Sequence, residues 1–261
     1  MFSIWDPPAG MFDVDNHENF ADVYASYICN VFDYITKKWG LPAPEALSIQ
    51  NEPTFMANWS ASTMDAKEYI EMFIAASKKL DERGYASVKM LGPESAGLPQ
   101  LERTFGTNLR YYDENKEFRD AVDILCVHSY RSGLDNDRVS KQSQEQMDHF
   151  VDVVRSHPFN EFWQTEYCLS TNTLAKLEEK DNELFASRIF IADMAYAQYT
   201  CWFWWAAFGN NATKMYTDKQ GGDEFYYGLP SRKAIMSGKA KYLTTIFKNV
   251  PVGSRMQRVS T

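Results

Sequence analysis

The sequence predicts an α/β fold of the (β/α)8 TIM-barrel type, with only about six βα units in the chain. Three observations predict it. Short β-type runs begin at residues 2, 46, 88, 124, 162 and 201, so their starts lie 44, 42, 36, 38 and 39 residues apart. Each interval holds one strand, one loop and one helix, a repeat that gives parallel strands joined by helical crossovers. Polar motifs follow the strands, and neither GxGxxG nor GxxxxGK[ST] occurs, which disfavours a doubly wound nucleotide-binding sheet.

The strands are expected at Phe2 to Trp5, Ala46 to Gln50, Val88 to Leu91, Ile124 to His128, Phe162 to Thr165 and Cys201 to Trp205. Between the first two, Phe20, Val23, Tyr24, Tyr27, Val31, Tyr34 and Ile35 recur at helical spacing. Ile70, Phe73, Ile74, Ser77 and Leu80 do the same, with a helix start expected at Ser62 followed by Asp65. Further helices are expected over 142–155, 182–199 and 231–248.

Composition narrows the function. A 261-residue chain that is 44% hydrophobic can bury one sizeable core, and a single large domain is expected. The net charge of −8, spread without long runs of one sign, disfavours the basic face that nucleic acid requires. Cys29, Cys126, Cys168 and Cys201 form no CxxC pair, so neither a zinc site nor a disulfide framework is indicated. No apolar run is as long as a membrane span, and residues 1–20 lack the pattern of a signal peptide.

The chemistry concentrates at two strand ends. In Ser48-Ile49-Gln50-Asn51-Glu52-Pro53 an apolar strand stops at a proline, which cannot donate a ladder hydrogen bond, and Glu52 falls at its C-terminal end. Asn-Glu-Pro is equally a turn composition, so the motif alone decides nothing. Glu166 ends the strand Phe162-Trp163-Gln164-Thr165 in the same way, 114 residues later. Two carboxyl groups on the C-terminal rim of one barrel are what retaining glycoside hydrolysis uses, one as acid and one as nucleophile. The 7 Trp and 15 Tyr suit stacking on sugars, although each taken singly is as readily core packing.

The chain resembles glycoside hydrolase family 30, nearest the xylanase and β-1,6-glucanase type. The matching segments are SIWDPPAGM at 3–11, SIQNEP at 48–53, LGPES at 91–95, VHSY at 127–130, WQTEY at 163–167 and CWFWW at 201–205, in the family's order. The resemblance implies Glu52 as acid/base, Glu166 as nucleophile and Asn51 as a hydrogen-bond partner of the sugar 2-hydroxyl. It also implies pocket-lining, sugar-binding roles for His128 and Tyr130, with a tyrosine hydroxyl holding the nucleophile. Trp5, Trp59, Trp204 and Trp205 fall at or just beyond strand ends, where indole faces are candidate sugar platforms. Trp204 and Trp205 are adjacent on a strand, so regular geometry lets only one face inward. Glu94 is expected to be supporting. No metal or organic cofactor is implied, and the substrate is a polysaccharide or oligosaccharide, with xylan first. Against specificity for glucuronoxylan, the stretch Ala206 to Asn211 carries no arginine clamp, and Lys214 is the nearest cation.

By the same resemblance the first strand matches the family's third. Residues 1–250 are then a catalytic barrel lacking two strands, and 251–261 begin an exit toward a β-sandwich side domain. Two open sheet edges would invite a missing N-terminal segment or a partner chain. The family resemblance implies a secreted, extracellular enzyme. Three other readings stay open: a β-1,6-glucanase- or glucosylceramidase-like enzyme of the same family, a carbohydrate-binding barrel without turnover, and a metal-dependent hydrolase using Cys126, His128 and nearby carboxylates, which no HxH or HExxH spacing supports.

Overall fold

Apolar runs too short for a helix become the strands, and each is found where the spacing places it. The computed structural model describes residues 1–8, 11, 19–55, 62–130, 141–168, 179–205, 216–217, 235–236 and 238–255. The chain divides into two compact units, Met1–Arg131 with Val153–Trp163, and Ser132–Asp152 with Gln164–Thr261.

The first unit contains β1 (Phe2–Ser3), α1 (Phe20–Asp33) running into a wide π turn, β2 (Ala46–Ser48), α2 (Ala66–Glu82) and β3 (Lys89–Ser95). It continues with α3 (Leu98–Phe105), α4 (Arg110–Glu114), α5 (Lys116–Ala121) and β4 (Ile124–Val127). Two further elements, α6 (Lys141–Arg155) and β5 (Phe162–Gln164), give residues to both units. Strands β1 to β5 lie side by side in chain order. Phe2 pairs with Leu47, Leu47 with Met90, and Leu91 with Ile124, all parallel. Every residue of β2 is buried, as is every residue of β4, the pattern of a parallel strand covered on both faces. Alternate residues Ala46, Leu91, Ile124 and Cys126 form one core cluster, with Trp163 packed against it.

Three expectations are corrected here. The helix start falls at Asp65 rather than Ser62: the Asp65 carboxylate accepts from the Glu68 N–H at 2.9 Å, and the Glu68 carboxylate accepts from the Asp65 N–H at 3.0 Å. This reciprocal box satisfies two backbone donors that a Ser62 start would leave further out. The core face of α1 is Tyr24, Ala25, Ile28, Cys29 and Phe32, one step round from the predicted stripe. Val23 and Tyr34 are exposed, and Tyr27, Val31 and Ile35 line an open groove with Phe2 and Trp39. Among the described residues β1 pairs with β2 alone and stands at the edge of the sheet. Finally, β3 runs four residues past Leu91. Gly92 permits this: a Cβ there would sit 2.5 Å from Tyr69 Oη and 3.0 Å from Phe73 Cε2, so only glycine lets the strand lie against α2.

Helices α1 and α2 are tied at one end by Asp33. Its carboxylate accepts from Lys37 and from the Tyr85 hydroxyl, both at 2.7 Å, and pairs with Arg83. Together Lys37, Tyr85 and Arg83 hold its carboxyl far below the usual carboxylate range. A depressed folded-state pKa stabilises the fold above the unfolded value of about 3.9 and is lost as pH falls through the lower folded value. Asp33→Asn is therefore expected to lower the melting temperature at pH 7. The deficit should shrink in melts recorded below about pH 4, where the parent loses the same interaction.

In the second unit, α7 (Glu179–Ala192) and α8 (Gly238–Asn249) pack Ala186, Phe190 and Leu243 together. Trp202 and Trp204 cover that cluster, and β6 (Cys201–Trp202) supplies the first of them. The Phe203 N–H donates to the Gln164 carbonyl at 3.0 Å, which sets β6 beside the end of β5. A two-stranded antiparallel ribbon pairs β7 (Tyr216–Thr217) with β8 (Ile235–Met236). The helix expected over 231–248 accordingly begins only at Gly238, because cross-strand pairing takes Ile235 and Met236, a choice that local periodicity does not reveal. No helix among the described residues is long and apolar enough to cross a membrane.

Candidate active site

In the first unit the site is built from the C-terminal ends of β2, β3 and β4. Ile49 and Gln50 are fully buried, and the Asn51 N–H donates to the Ile4 carbonyl at 2.7 Å, extending the β1–β2 contact to the residue before Glu52. Glu52 then turns out of strand geometry at φ +47. The Glu52 N–H donates to the Glu94 carbonyl at 3.0 Å, and the Phe55 N–H donates to the Glu52 carbonyl at 2.9 Å, so Asn-Glu-Pro does form a turn. That turn buries the carboxylate to 8% exposure. A buried carboxylate needs partners, and Glu52 Oε1 has one in His128 Nδ1 at 2.9 Å.

His128 comes from the end of β4 and is itself 1% exposed. Its backbone N–H donates to the Ser95 carbonyl at 2.8 Å, and its ring Nε2 lies 3.7 Å from Glu94 Oε1. Glu94 occupies an irregularity in β3: register passes from Pro93–Cys126 to Ser95–Val127, leaving Glu94 as the extra residue, at φ +51. A bulge of this kind re-aims a side chain. The Ser3 hydroxyl donates to Glu94 Oε2 at 2.6 Å. Tyr130 meets the His128 ring edge to face at 5.9 Å, and Gly97 makes room for the Tyr130 carbonyl, which would lie 1.9 Å from a Cβ. The Trp5 carbonyl accepts from the Gln50 side-chain amide at 3.0 Å. Asn51 is 5% exposed, and its amide oxygen has no hydrogen-bond partner among the described residues.

In the second unit, β5 ends at Gln164 and leads through buried Thr165 to Glu166, which is 8% exposed, and to buried Tyr167. Gln164 accepts from the Phe203 N–H through both its carbonyl and its side-chain oxygen, while the Trp205 N–H donates to the Tyr167 carbonyl at 2.9 Å. Glu166 is thereby flanked by two fixed backbone positions. Trp204 packs on the α7–α8 core and meets Tyr167 edge to face at 5.9 Å, whereas Trp205 is exposed. Trp59, the stretch Ala206 to Asn211, and Lys214 lie outside the described residues.

The fold has parallels among solved structures. The chain is similar to the family 30 subfamily 8 xylanase from Clostridium acetobutylicum, with TM-score 0.62 and 18% identity over 95% of this chain and 55% of that one. A conserved exported protein from Bacteroides fragilis matches with TM-score 0.67 and 15% identity over 94% and 54%. The chain shares their barrel-type fold. An endo-β-1,6-glucanase matches with TM-score 0.57 and 17% identity over 90% and 48%. The chain thus spans about half the length of the structures it matches. No family description matches the sequence, and no curated protein is similar to it.

The sequence signals for Glu52 and Glu166 are local, a carboxylate at the end of a short strand, whereas the role of Asn51 comes from the family resemblance. The place of His128 beside Glu52 joins residues 76 apart and has no local signal. Glu94 reaches His128 only because of the irregularity after Pro93, which apolar patterning does not register. As ligating atoms, a carboxylate oxygen and an imidazole nitrogen also suit a divalent cation, so metal dependence is a matter for experiment.

Proposed function

We propose that this chain carries the catalytic face of a retaining β-glycosidase acting on β-linked polysaccharide or oligosaccharide, with xylan as the first substrate. Glu166 attacks the anomeric carbon while the acid form of Glu52 protonates the departing oxygen. Glu52 then takes a proton from the water that hydrolyses the glycosyl-enzyme. The observation that carries the reading is the buried Glu52 carboxylate, turned off the end of a parallel strand and hydrogen-bonded to His128. The buried, uncommitted amide oxygen of Asn51, next in sequence, supports a role in binding a sugar hydroxyl, which can both donate and accept. The barrel-type fold shared with a xylanase and a β-1,6-glucanase supports the reaction class, and the likeness to an exported protein supports an extracellular site of action.

Reducing-sugar release from xylan and from β-1,6-glucan, measured beside affinity for each, tests the reading. Turnover of one of them, undiminished by a chelator, is expected. Binding without turnover would favour a carbohydrate-binding barrel, and loss of turnover in the chelator would favour metal-assisted hydrolysis. A retaining mechanism also requires the two carboxyl groups to stand about 5 Å apart, against roughly 6.5–9.5 Å for inversion. The anomer first released, read by NMR, is therefore expected to be β.

A further inference from the structure

We infer that Glu94 is a positioning residue for Glu52, acting through His128 and itself fixed by Ser3; the inference rests on the acid/base role proposed above for Glu52.

Four side chains stand in a row. The Ser3 hydroxyl donates to one oxygen of Glu94, the other oxygen faces His128 Nε2 at 3.7 Å, and His128 Nδ1 meets Glu52 at 2.9 Å. Glu94, His128 and Glu52 are all at least nine-tenths buried, so the charges act through little water. The distance from Glu94 to His128 is too long for a hydrogen bond but short enough for the carboxylate to favour a proton on Nε2. An imidazole protonated at Nε2 presents a lone pair at Nδ1. That lone pair accepts a hydrogen bond from the acid form of Glu52, the form that assists the leaving group. Glu94 thus selects the tautomer, and through it the orientation of the acid.

The backbone couples the same two residues. The Glu52 N–H donates to the Glu94 carbonyl, and both residues hold left-handed conformations, at φ +47 and φ +51. For a non-glycine residue each is a strained conformation that persists only where its surroundings hold it. Two such residues bonded to each other, each with its carboxylate on one imidazole, place Glu94 in the support of the acid/base and not merely in the strand.

The test reads both the geometry and the chemistry. The four histidines give ring-nitrogen resonances in long-range proton–nitrogen spectra, with that of His128 assigned by its loss in His128→Gln. Glu94→Gln keeps the side chain's shape and removes its charge, so the His128 resonances should move while those of the other histidines stay. Ser3→Ala should move them the same way by less, and it serves if Glu94→Gln does not fold. In kinetics, kcat/KM on phenyl β-xylobioside, whose leaving group needs the acid, should fall by at least about 10-fold in Glu94→Gln. That is a share of the roughly 10²–10⁴ a positioned acid contributes. On 2,4-dinitrophenyl β-xylobioside, whose leaving group needs no proton, kcat/KM should hardly change. Unmoved His128 resonances, or equal losses on both glycosides, would overturn the positioning role alone. A parent chain that cleaves neither glycoside would overturn the acid/base reading of Glu52 and the positioning role with it.

Discussion

Glu166→Ala is expected to lower turnover of 2,4-dinitrophenyl β-xylobioside on the order of 10⁴-fold or more, the scale of loss when a covalent nucleophile is removed. Sodium azide then separates the two carboxyl roles by stereochemistry. In Glu166→Ala the small anion enters where the carboxylate stood and displaces the leaving group directly, giving the α-glycosyl azide. In Glu52→Ala the activated glycoside still forms the glycosyl-enzyme, because dinitrophenolate leaves without a proton. What fails is the second step, which has lost its base, with a loss of about 10²–10⁴. Azide needs no base and should restore turnover there with retention, giving the β-glycosyl azide. Products of swapped configuration would exchange the roles of Glu52 and Glu166. Undiminished activity in both variants would remove the two glutamates from the chemistry altogether.

The six strands were legible because a βα repeat writes itself into the sequence twice, as short apolar runs and as their even spacing. The strand-end places of Glu52 and Glu166 were legible for a related reason: a carboxylate follows each of two short strands, after Asn51 in the one and after Thr165 in the other. What was not legible depends on contacts far apart in the chain. The helices α3, α4 and α5 cover residues 98–121 with 8, 5 and 6 residues each, and Asn108 and Leu109 take left-handed conformations between them. No helical period survives such breaks. The stripe on α1 was visible but read one step off, since Val23 and Tyr34 are as apolar in sequence as the residues that are buried. The third strand was expected to stop at Leu91, two residues before Pro93. Pro93 is the place where β3 gains a residue and Glu94 its aim.

Phe118→Ala should be the most damaging single change to the first unit's core. The ring is fully buried, edge to face with Phe73 of α2 at 5.3 Å and with Phe105 of α3 at 5.0 Å. Three helices therefore meet on one side chain, and the short α5 has little helical stability of its own to fall back on. Truncating a buried phenylalanine costs about 3–5 kcal/mol in lost transfer energy and residual cavity. The expected result in urea titrations is an unfolding free energy lowered by that amount, with Val252→Ala, at a fully exposed position, within about 0.5 kcal/mol of the parent. A change below about 1 kcal/mol for Phe118→Ala would mean that the helices close over the gap. The consequence reaches the site, because α5 runs directly into β4, and β4 ends at His128. If the layer beneath β4 loosens, the 2.9 Å contact between His128 and Glu52 loosens with it. Phe118→Ala should then lose more activity on phenyl than on 2,4-dinitrophenyl β-xylobioside at temperatures where it is still folded, which a uniformly destabilised but intact site would not do.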